Sequence, residues 1–486
     1  MSKPNVVWFF ADELRVSALG CYQQSWRPVW TPNIDSLAAR GVRFENSFCT
    51  SPVCVPSRHS IMTSHYPEST GIYANQGAWK SFPLPVLLPT FPEHFAAHGY
   101  RTVSFGKTHL HPSYAPWQES CFEGASMHEF GLEADPTLEP IMPKGIPSPI
   151  GGVSPSEKQY TPEKVTWNAL KWLDHHASGG DDTPFLLRVS YLQPHTPVLP
   201  PAHYRRLYRA RDWPGHNLPR GYGSMAEEAF AAAAGGRELS HEQMQQAQAD
   251  YHALVSWLDT QVGLVLGALA NRGLLENTIL VFTADHGASL GEDGLISKDL
   301  FVPQCHRVPL IVTWSGVLPA HEVRSDLAQG IDLGPTLVDL AGLPRLPKAQ
   351  GRALFGDPEP DEVYGTVNFG HYAGDTGQFP PEGWPQGGSW PRRSCVRTRR
   401  YRLDLNVRQD GQPVPPERED IFLADVEADP KEMHNLAKEP AQADLVASLR
   451  AKVLAHAANS VEPQYIPSFS PDESPEFLPA KVLGYS

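Results

Sequence analysis

Positive charge is in short supply in this chain of 486 residues: 40 lysines and arginines face 54 aspartates and glutamates, for a net charge of −14. That balance argues against a nucleic-acid partner and against an anionic membrane surface, both of which select basic faces. It leaves an anionic small molecule open, because a local cluster of cations can dominate a pocket. Long apolar runs are also missing. No stretch reads as long enough to span a bilayer, so no membrane partner is expected. The first apolar run, residues 6–11, stops at Asp12 and is too short for a secretory leader, so the expected location is the cytoplasm. Cysteine is scarce. The six (Cys21, Cys49, Cys54, Cys121, Cys305 and Cys395) show neither a CxxC pair nor disulfide-like spacing. In a reducing compartment most of them are core residues. The chain has no internal repeat, which excludes solenoids and propellers.

What is present is enough chain for one large and one small domain. Short runs rich in Val, Ile, Leu and Phe at residues 6–11, 102–105, 185–191, 278–283 and 310–314 read as buried parallel strands. Helix-period segments lie between them at 33–40, 91–98, 163–176, 242–271 and 333–341, with Asn33 and Asp332 near their starts and Gly41, Gly99 and Gly273 at their ends. This alternation predicts an α/β fold, a large mostly parallel sheet sandwiched by helices, over residues 1–360. The pattern changes near 350–360. Strand-like runs at 362–368, 394–405 and 420–424 and a helix near 444–458 predict a smaller C-terminal α+β domain over 361–460, followed by a tail at 461–486. Residues 112–162 and 371–393 are loops rich in Pro, Gly and aromatics, and long loops of this kind are usually functional or disordered.

In an open α/β sheet, ligands bind beyond the carboxyl ends of the strands. The predicted strands end in Asp12-Glu13, in Gly106-Lys107-Thr108-His109, in Gln193-Pro194-His195 and in Asp285-His286-Gly287, with Lys298 a short loop later. Each group alone has an ordinary structural explanation: a helix cap for Asp12, a solvated loop for Lys107, a satisfied core histidine for His195. Their joint placement on one sheet edge points to a site. Asp12, Asp285 and Glu13 are hard oxygen donors and His286 adds nitrogen, a set that suits Ca²⁺, Mg²⁺ or Mn²⁺. Lys107, His109, His195 and Lys298 would surround an anion. The run Ser51-Pro52-Val53-Cys54-Val55-Pro56-Ser57-Arg58 stands apart. Pro56 fits the first turn of a helix through Ser57 to Ser64, which would put Cys54 just before the positive end of that helix.

The core of that run, Cys-x-Pro-Ser-Arg, resembles the motif of the type I sulfatases of the alkaline phosphatase superfamily, in which the Cys is oxidised to formylglycine. Further segments resemble the same family: residues 5–15, Thr31-Pro32-Asn33-Ile34-Asp35, His98-Gly99-Tyr100-Arg101-Thr102, Pro194-His195-Thr196-Pro197, Asp285-His286-Gly287 and Arg307-Val308-Pro309-Leu310, with Asp429-Pro430, Glu432 and Asn435-Leu436-Ala437 late in the chain. The resemblance implies a sulfuric ester hydrolase cleaving a sulfate monoester, an aryl sulfate among the candidates, through a formylglycine hydrate and a sulfo-enzyme intermediate. Cys54 would be the modified nucleophile and Arg58 its stabiliser. Asp12, Glu13, Cys54, Asp285 and His286 would hold one divalent metal, Ca²⁺ first, with Mn²⁺ or Mg²⁺ as alternatives. Lys107, His195 and Lys298 would bind the substrate, with His109 completing the catalytic set and Asn75 as a further substrate contact. A formylglycine-generating enzyme is the implied maturation partner. Two departures stand out: Glu13 where many relatives have Asp, and His286 where many have Asn. The second keeps a phosphonate monoester or phosphodiester substrate open, and a sulfamidase is a further alternative. Tyr465, Ile466, Phe469 and Phe477 make the tail a candidate contact for a homo-oligomer.

Overall fold

The computed structural model describes residues 3–22, 29–78, 83–121, 140–146, 148–153, 161–180, 182–216, 223–368, 386 and 390–462. Much of the two loops singled out above, and the tail from 463 with its aromatics, lies outside the described residues. The first six strands are β1 (Asn5–Asp12), β2 (Val42–Phe48), β3 (Arg101–Gly106), β4 (Glu119–Cys121), β5 (Phe185–Pro194) and β6 (Thr278–Ala284). A small hairpin follows, β7 (Ser289–Leu290) with β8 (Ile296–Ser297), and then β9 (Leu310–Thr313) and β10 (Glu322–Gln329). Eight of these form one sheet in the order β10-β2-β9-β6-β1-β5-β3-β4.

β1 lies in the middle. All eight of its residues are buried, as expected of a strand covered on both faces. Val7, Phe9 and Ala11 enter one hydrophobic layer, which contains side chains of the helices Thr161–Ser178 and His241–Asn271. Val6, Trp8 and Phe10 enter the other, which contains side chains of Phe91–Ala97 and Leu333–Leu340. Each fully buried aromatic of this strand contributes roughly 2–3 kcal/mol of transfer free energy. β6, β1, β5, β3 and β4 run parallel, so their carboxyl ends share one edge.

Two expectations need correction here. Residues 310–314 were expected to form a parallel strand, but β9 is antiparallel to both β6 and β2. The chain between β6 and β9 holds only the β7–β8 hairpin and the single turn Pro303–His306, with no crossover helix to return it to the starting end. The helix His241–Asn271 is long and apolar enough to cross a membrane by composition, contrary to the reading that no stretch is. It is a mostly buried core helix, packed on Thr161–Ser178 and on β5.

The second sheet is antiparallel and begins with β11 (Glu362–Asn368). It continues with β12 (Arg392–Thr398), β13 (Tyr401–Gln409), β14 (Gln412–Pro413) and β15 (Ile421–Asp425). The helix Ala443–Ala458 packs on it through Leu449 and Val453. The run 394–405, read as one strand, is two strands joined at Arg399-Arg400. Glycine, proline and asparagine are all missing from that turn. The Thr398 hydroxyl makes it instead, accepting the N–H groups of Arg400 (3.3 Å) and Tyr401 (2.9 Å). Past the last helix the chain docks on the first domain: Val461 N–H donates to the Glu68 carbonyl at 2.7 Å, and Tyr73 donates to the Val461 carbonyl at 2.8 Å.

Candidate active site

The shared carboxyl edge gathers the expected groups. Asp12 ends β1, Lys107 and His109 follow β3, His195 follows β5, Asp285 and His286 follow β6, and Lys298 follows β8. Cys54 faces them from the opposite side. It was expected just before a helix and is instead the first residue of the helix Cys54–Thr63, every residue of which is buried. Its Sγ lies 3.1 Å from Lys298 Nζ, 3.2 Å from His286 Nε2, 3.7 Å from Asp12 Oδ1 and 4.0 Å from Lys107 Nζ. Burial raises the Cys54 thiol pKa, but Lys107, Lys298, His286 and a hydrogen bond from His109 outweigh it and hold the group well below its ordinary value.

Asp12, Cys54, Asp285 and His286 form one buried group whose donor atoms lie within 4.8 Å of one another. Two ligands across a cation at ordinary metal–oxygen distances are separated by about that much. The orientation of His286 fits as well: its Nδ1–H donates to the Gly287 carbonyl at 2.9 Å, which leaves Nε2 facing the cluster. Burial lowers the His286 pKa, yet Asp285 and Cys54 raise it to about 9. The cluster therefore calls for positive charge, which a divalent ion would supply in place of the proton. Burial, then Asp12, raises the Asp285 pKa, against the opposing pull of His286 and Arg58. Burial and Cys54 push Asp12 up, but Lys107, His195 and Arg58 win and hold it below the usual carboxylate range.

Glu13 is placed differently from the expected ligand set. It is outside the four-donor group; its carboxylate meets Lys298 Nζ at 3.2 Å and His195 Nε2 at 3.4 Å. Its main-chain N–H donates to Asp285 Oδ1 at 3.0 Å. His195 donates Nδ1–H to the Thr196 carbonyl at 2.6 Å, so its Nε2 turns to Lys298 at 3.0 Å. Burial and Lys107 push His109 down to about 4, so it is neutral at ordinary pH and able to accept a proton. Arg58 is fully buried under the site. Its Nε donates to Asp285 Oδ2 at 2.8 Å, its Nη2 is 3.4 Å from Asp12 Oδ2, and its guanidinium stacks on Phe10. Asn75 lies at the helix start, where its Oδ1 accepts the Val55 N–H at 3.1 Å.

Two contributors went unread in the sequence. The Ser190 hydroxyl donates to the Lys107 carbonyl at 2.6 Å, and the Ser57 hydroxyl donates to the Asp285 carbonyl at 2.6 Å. A serine inside the apolar run 185–191 was the available signal for the first. Backbone strain also concentrates here. Glu13, His109, Ser297 and Asp299 have φ of 61°, 52°, 68° and 78°. Such conformations in non-glycine residues cost of order 1–3 kcal/mol each and persist only where the surroundings impose them.

A family model described as "Sulfatase" matches residues 4–343, about two-thirds of the chain and every site residue named above. The chain is a type I sulfatase. A second family model, "N-sulphoglucosamine sulphohydrolase, C-terminal", matches residues 291–459 of the sulfatase. The "Uncharacterized sulfatase YidJ" of Escherichia coli is 30% identical over 481 residues, covering 93% of this chain and 87% of that protein. In fold the sulfatase is similar to the phosphonate monoester hydrolase of Agrobacterium radiobacter (TM-score 0.74, 22% identity, covering 94% and 96% of the two chains). It is also similar to BT4656, solved in complex with its substrate D-glucosamine-2-N,6-O-disulfate (TM-score 0.71, 20% identity, covering 94% and 98%). The family implies a divalent metal and formylglycine, and the four-donor group fits the metal. Chelation of the purified sulfatase is expected to lower its melting temperature and silence it, with both recovered on adding Ca²⁺, Mn²⁺ or Mg²⁺. The ion that stabilises most at equal concentration is the one the site binds most tightly. An active preparation free of divalent metal by elemental analysis would contradict this assignment.

Proposed function

We propose that this sulfatase hydrolyses a small-molecule sulfate monoester, with an aryl sulfate as the first probe, through residue 54 in its formylglycine form. The observation that carries the reading is the surroundings of residue 54: Lys298, Lys107 and His109 beside it, together with Asp12, Asp285 and His286, with which it forms the four-donor group. The metal, when bound, supplies positive charge next to residue 54. The chain's own groups do the rest. The aldehyde at position 54 adds water to carry two hydroxyls on one carbon. One hydroxyl gives its proton to solvent and its oxygen attacks sulfur, while the bond from sulfur to the alcohol oxygen breaks. The Lys298 ammonium, paired with His195 Nε2, gives the departing alcohol its proton, directly or by way of that ring nitrogen. Lys107 and Lys298 offset charge on the sulfuryl oxygens. His109 then takes the proton of the second hydroxyl, the carbon–oxygen bond to sulfate breaks, and the aldehyde is restored. Asn75 completes the substrate side of this reading, and Glu13 holds Lys298 and His195 in place. A maturation enzyme for Cys54 and a cytoplasmic location belong to the same proposal, both on the sequence reading.

Two other substrates have specific support. His286, and the likeness in fold to a phosphonate monoester hydrolase, favour a phosphorus ester. The C-terminal match favours an N–S bond. Rates with para-nitrophenyl sulfate, an aryl phosphonate monoester, a phosphate diester and an N-sulfated glucosamine separate the three. The sulfate ester is expected to lead in kcat/KM by at least about tenfold, or 1.4 kcal/mol of transition-state stabilisation. A lead by either phosphorus ester or by the N-sulfated sugar would replace the proposal.

A further inference from the structure

Lys298 sits in an unusual stretch of backbone. Ser297 before it and Asp299 after it both hold positive φ. Two such residues flanking a single side chain need anchors on both sides. Upstream, Ser297 pairs with Ser289 in the β7–β8 hairpin; immediately downstream, Asp299 N–H donates to the Pro52 carbonyl at 3.0 Å. A further downstream anchor comes from the other domain. Three residues after Lys298, the Phe301 carbonyl accepts a hydrogen bond from Arg402 Nη1 at 2.5 Å. Arg402 lies on β13 of the C-terminal sheet and is fully buried. Its guanidinium is itself fixed by Glu432 at 3.0 Å and Asp404 at 3.2 Å, and it stacks on Phe422. The Phe301 ring rests against the same sheet, at Gly365 on β11. A side chain there would bring its Cβ to 2.8 Å from Phe301 Cε1 and 3.2 Å from His306 Nε2.

We propose that Arg402 is a positioning residue for Lys298: the C-terminal sheet, by holding the Phe301 carbonyl and seating its ring, sets the ammonium of Lys298 against residue 54. The inference rests on the catalytic role given to Lys298 above. It assigns the second domain a part in the chemistry that its distance in sequence conceals. The guanidinium suits the task because its planar fork reaches a carboxylate and a carbonyl together, whereas a lysine ammonium is a single point of charge.

Three variants of the full-length protein test it: Arg402→Lys, Gly365→Ala and Lys298→Ala, with the double variant Arg402→Lys/Lys298→Ala. Turnover of para-nitrophenyl sulfate is measured beside a crystal structure of each single variant. Arg402→Lys is expected to lower kcat ten- to a hundredfold with KM changed less than threefold. On the Lys298→Ala background it should add no further loss, since the residue it positions is gone. Gly365→Ala reaches the same turn by a steric route and should show the same pattern. In both structures Lys298 Nζ should be displaced from residue 54 while Asp12, Lys107 and His109 stay in place. Unchanged kcat in both variants, the same fold-loss on the Lys298→Ala background, or an undisplaced Lys298 would overturn the proposal. If Lys298→Ala itself leaves the rate intact, the role given to Lys298 falls. The crystal structures still report separately whether the C-terminal sheet holds its turn.

Discussion

Replacing Cys54 with alanine is expected to abolish turnover, a loss on the order of 10⁴-fold or more, as when a nucleophile is deleted from other covalent enzymes. Lys107, Lys298, His109, Asp12 and His286 all surround this one side chain. Folding should survive. Alanine favours the helix Cys54–Thr63, and the truncation removes a single sulfur from a polar pocket, so stability should change by only about 1 kcal/mol. Cys54→Ser is the sharper variant. A lone hydroxyl can accept the sulfuryl group but has no second hydroxyl from which to expel it. This variant should release at most one equivalent of alcohol per protein and then stop. Mass spectrometry of the active protein should show the Cys54 peptide lighter than encoded, as thiol becomes aldehyde. A wild-type rate in Cys54→Ala, or a fully active preparation with an unmodified peptide, would end the assignment of residue 54.

Arg58→Met should produce the largest stability change at the site. Arg58 is the buried cation that Asp12 and Asp285 share, and both carboxylates are themselves without solvent. Methionine fills much of the space and can still lie on Phe10, so lost packing is minor. What remains is Asp12 held by Lys107 and Asp285 without its guanidinium, and breaking a buried pair of this kind from one side costs about 3–5 kcal/mol. The loss should be greatest in chelator and partly recovered by saturating divalent ion, because the ion would be held by the same two carboxylates. Chemical denaturation with and without metal measures both quantities. Equal stability of Arg58→Met and wild type in chelator would show that the guanidinium does not hold the pair.

Much of this site was legible because the parallel-sheet rule turns sequence order into position. A buried apolar run followed by a polar residue gives a strand and its carboxyl end, and Asp12, Lys107, His195 and Asp285 follow directly. Lys298 was read as lying a short loop beyond Asp285, although the strand before it, β8, is only two residues long. The rule gave nothing for β9, whose direction depends on the connection before it and not on its own residues. β10 was missed because its first half is half exposed and charged, as edge strands commonly are. Glu13 shows a finer limit. Its chemistry allowed either metal or ammonium as partner, and only the left-handed backbone at that position turns its carboxylate to Lys298. Arg402 had no signal at all. A buried arginine on a strand of another domain reads as a structural ion pair until its carbonyl partner is known.

The central strand carries a kinetic consequence. β1 pairs on one side with residues about 180 positions later and on the other with residues about 270 positions later. Contacts between such distant segments form slowly, because long stretches of chain must be closed before any of them is rewarded. Asp12 waits for Asp285 and Lys298, more than 270 positions later in the chain, before it has a site to belong to. Recovered turnover during refolding should therefore lag behind recovered helix, and its rate marks the moment the sheet closes.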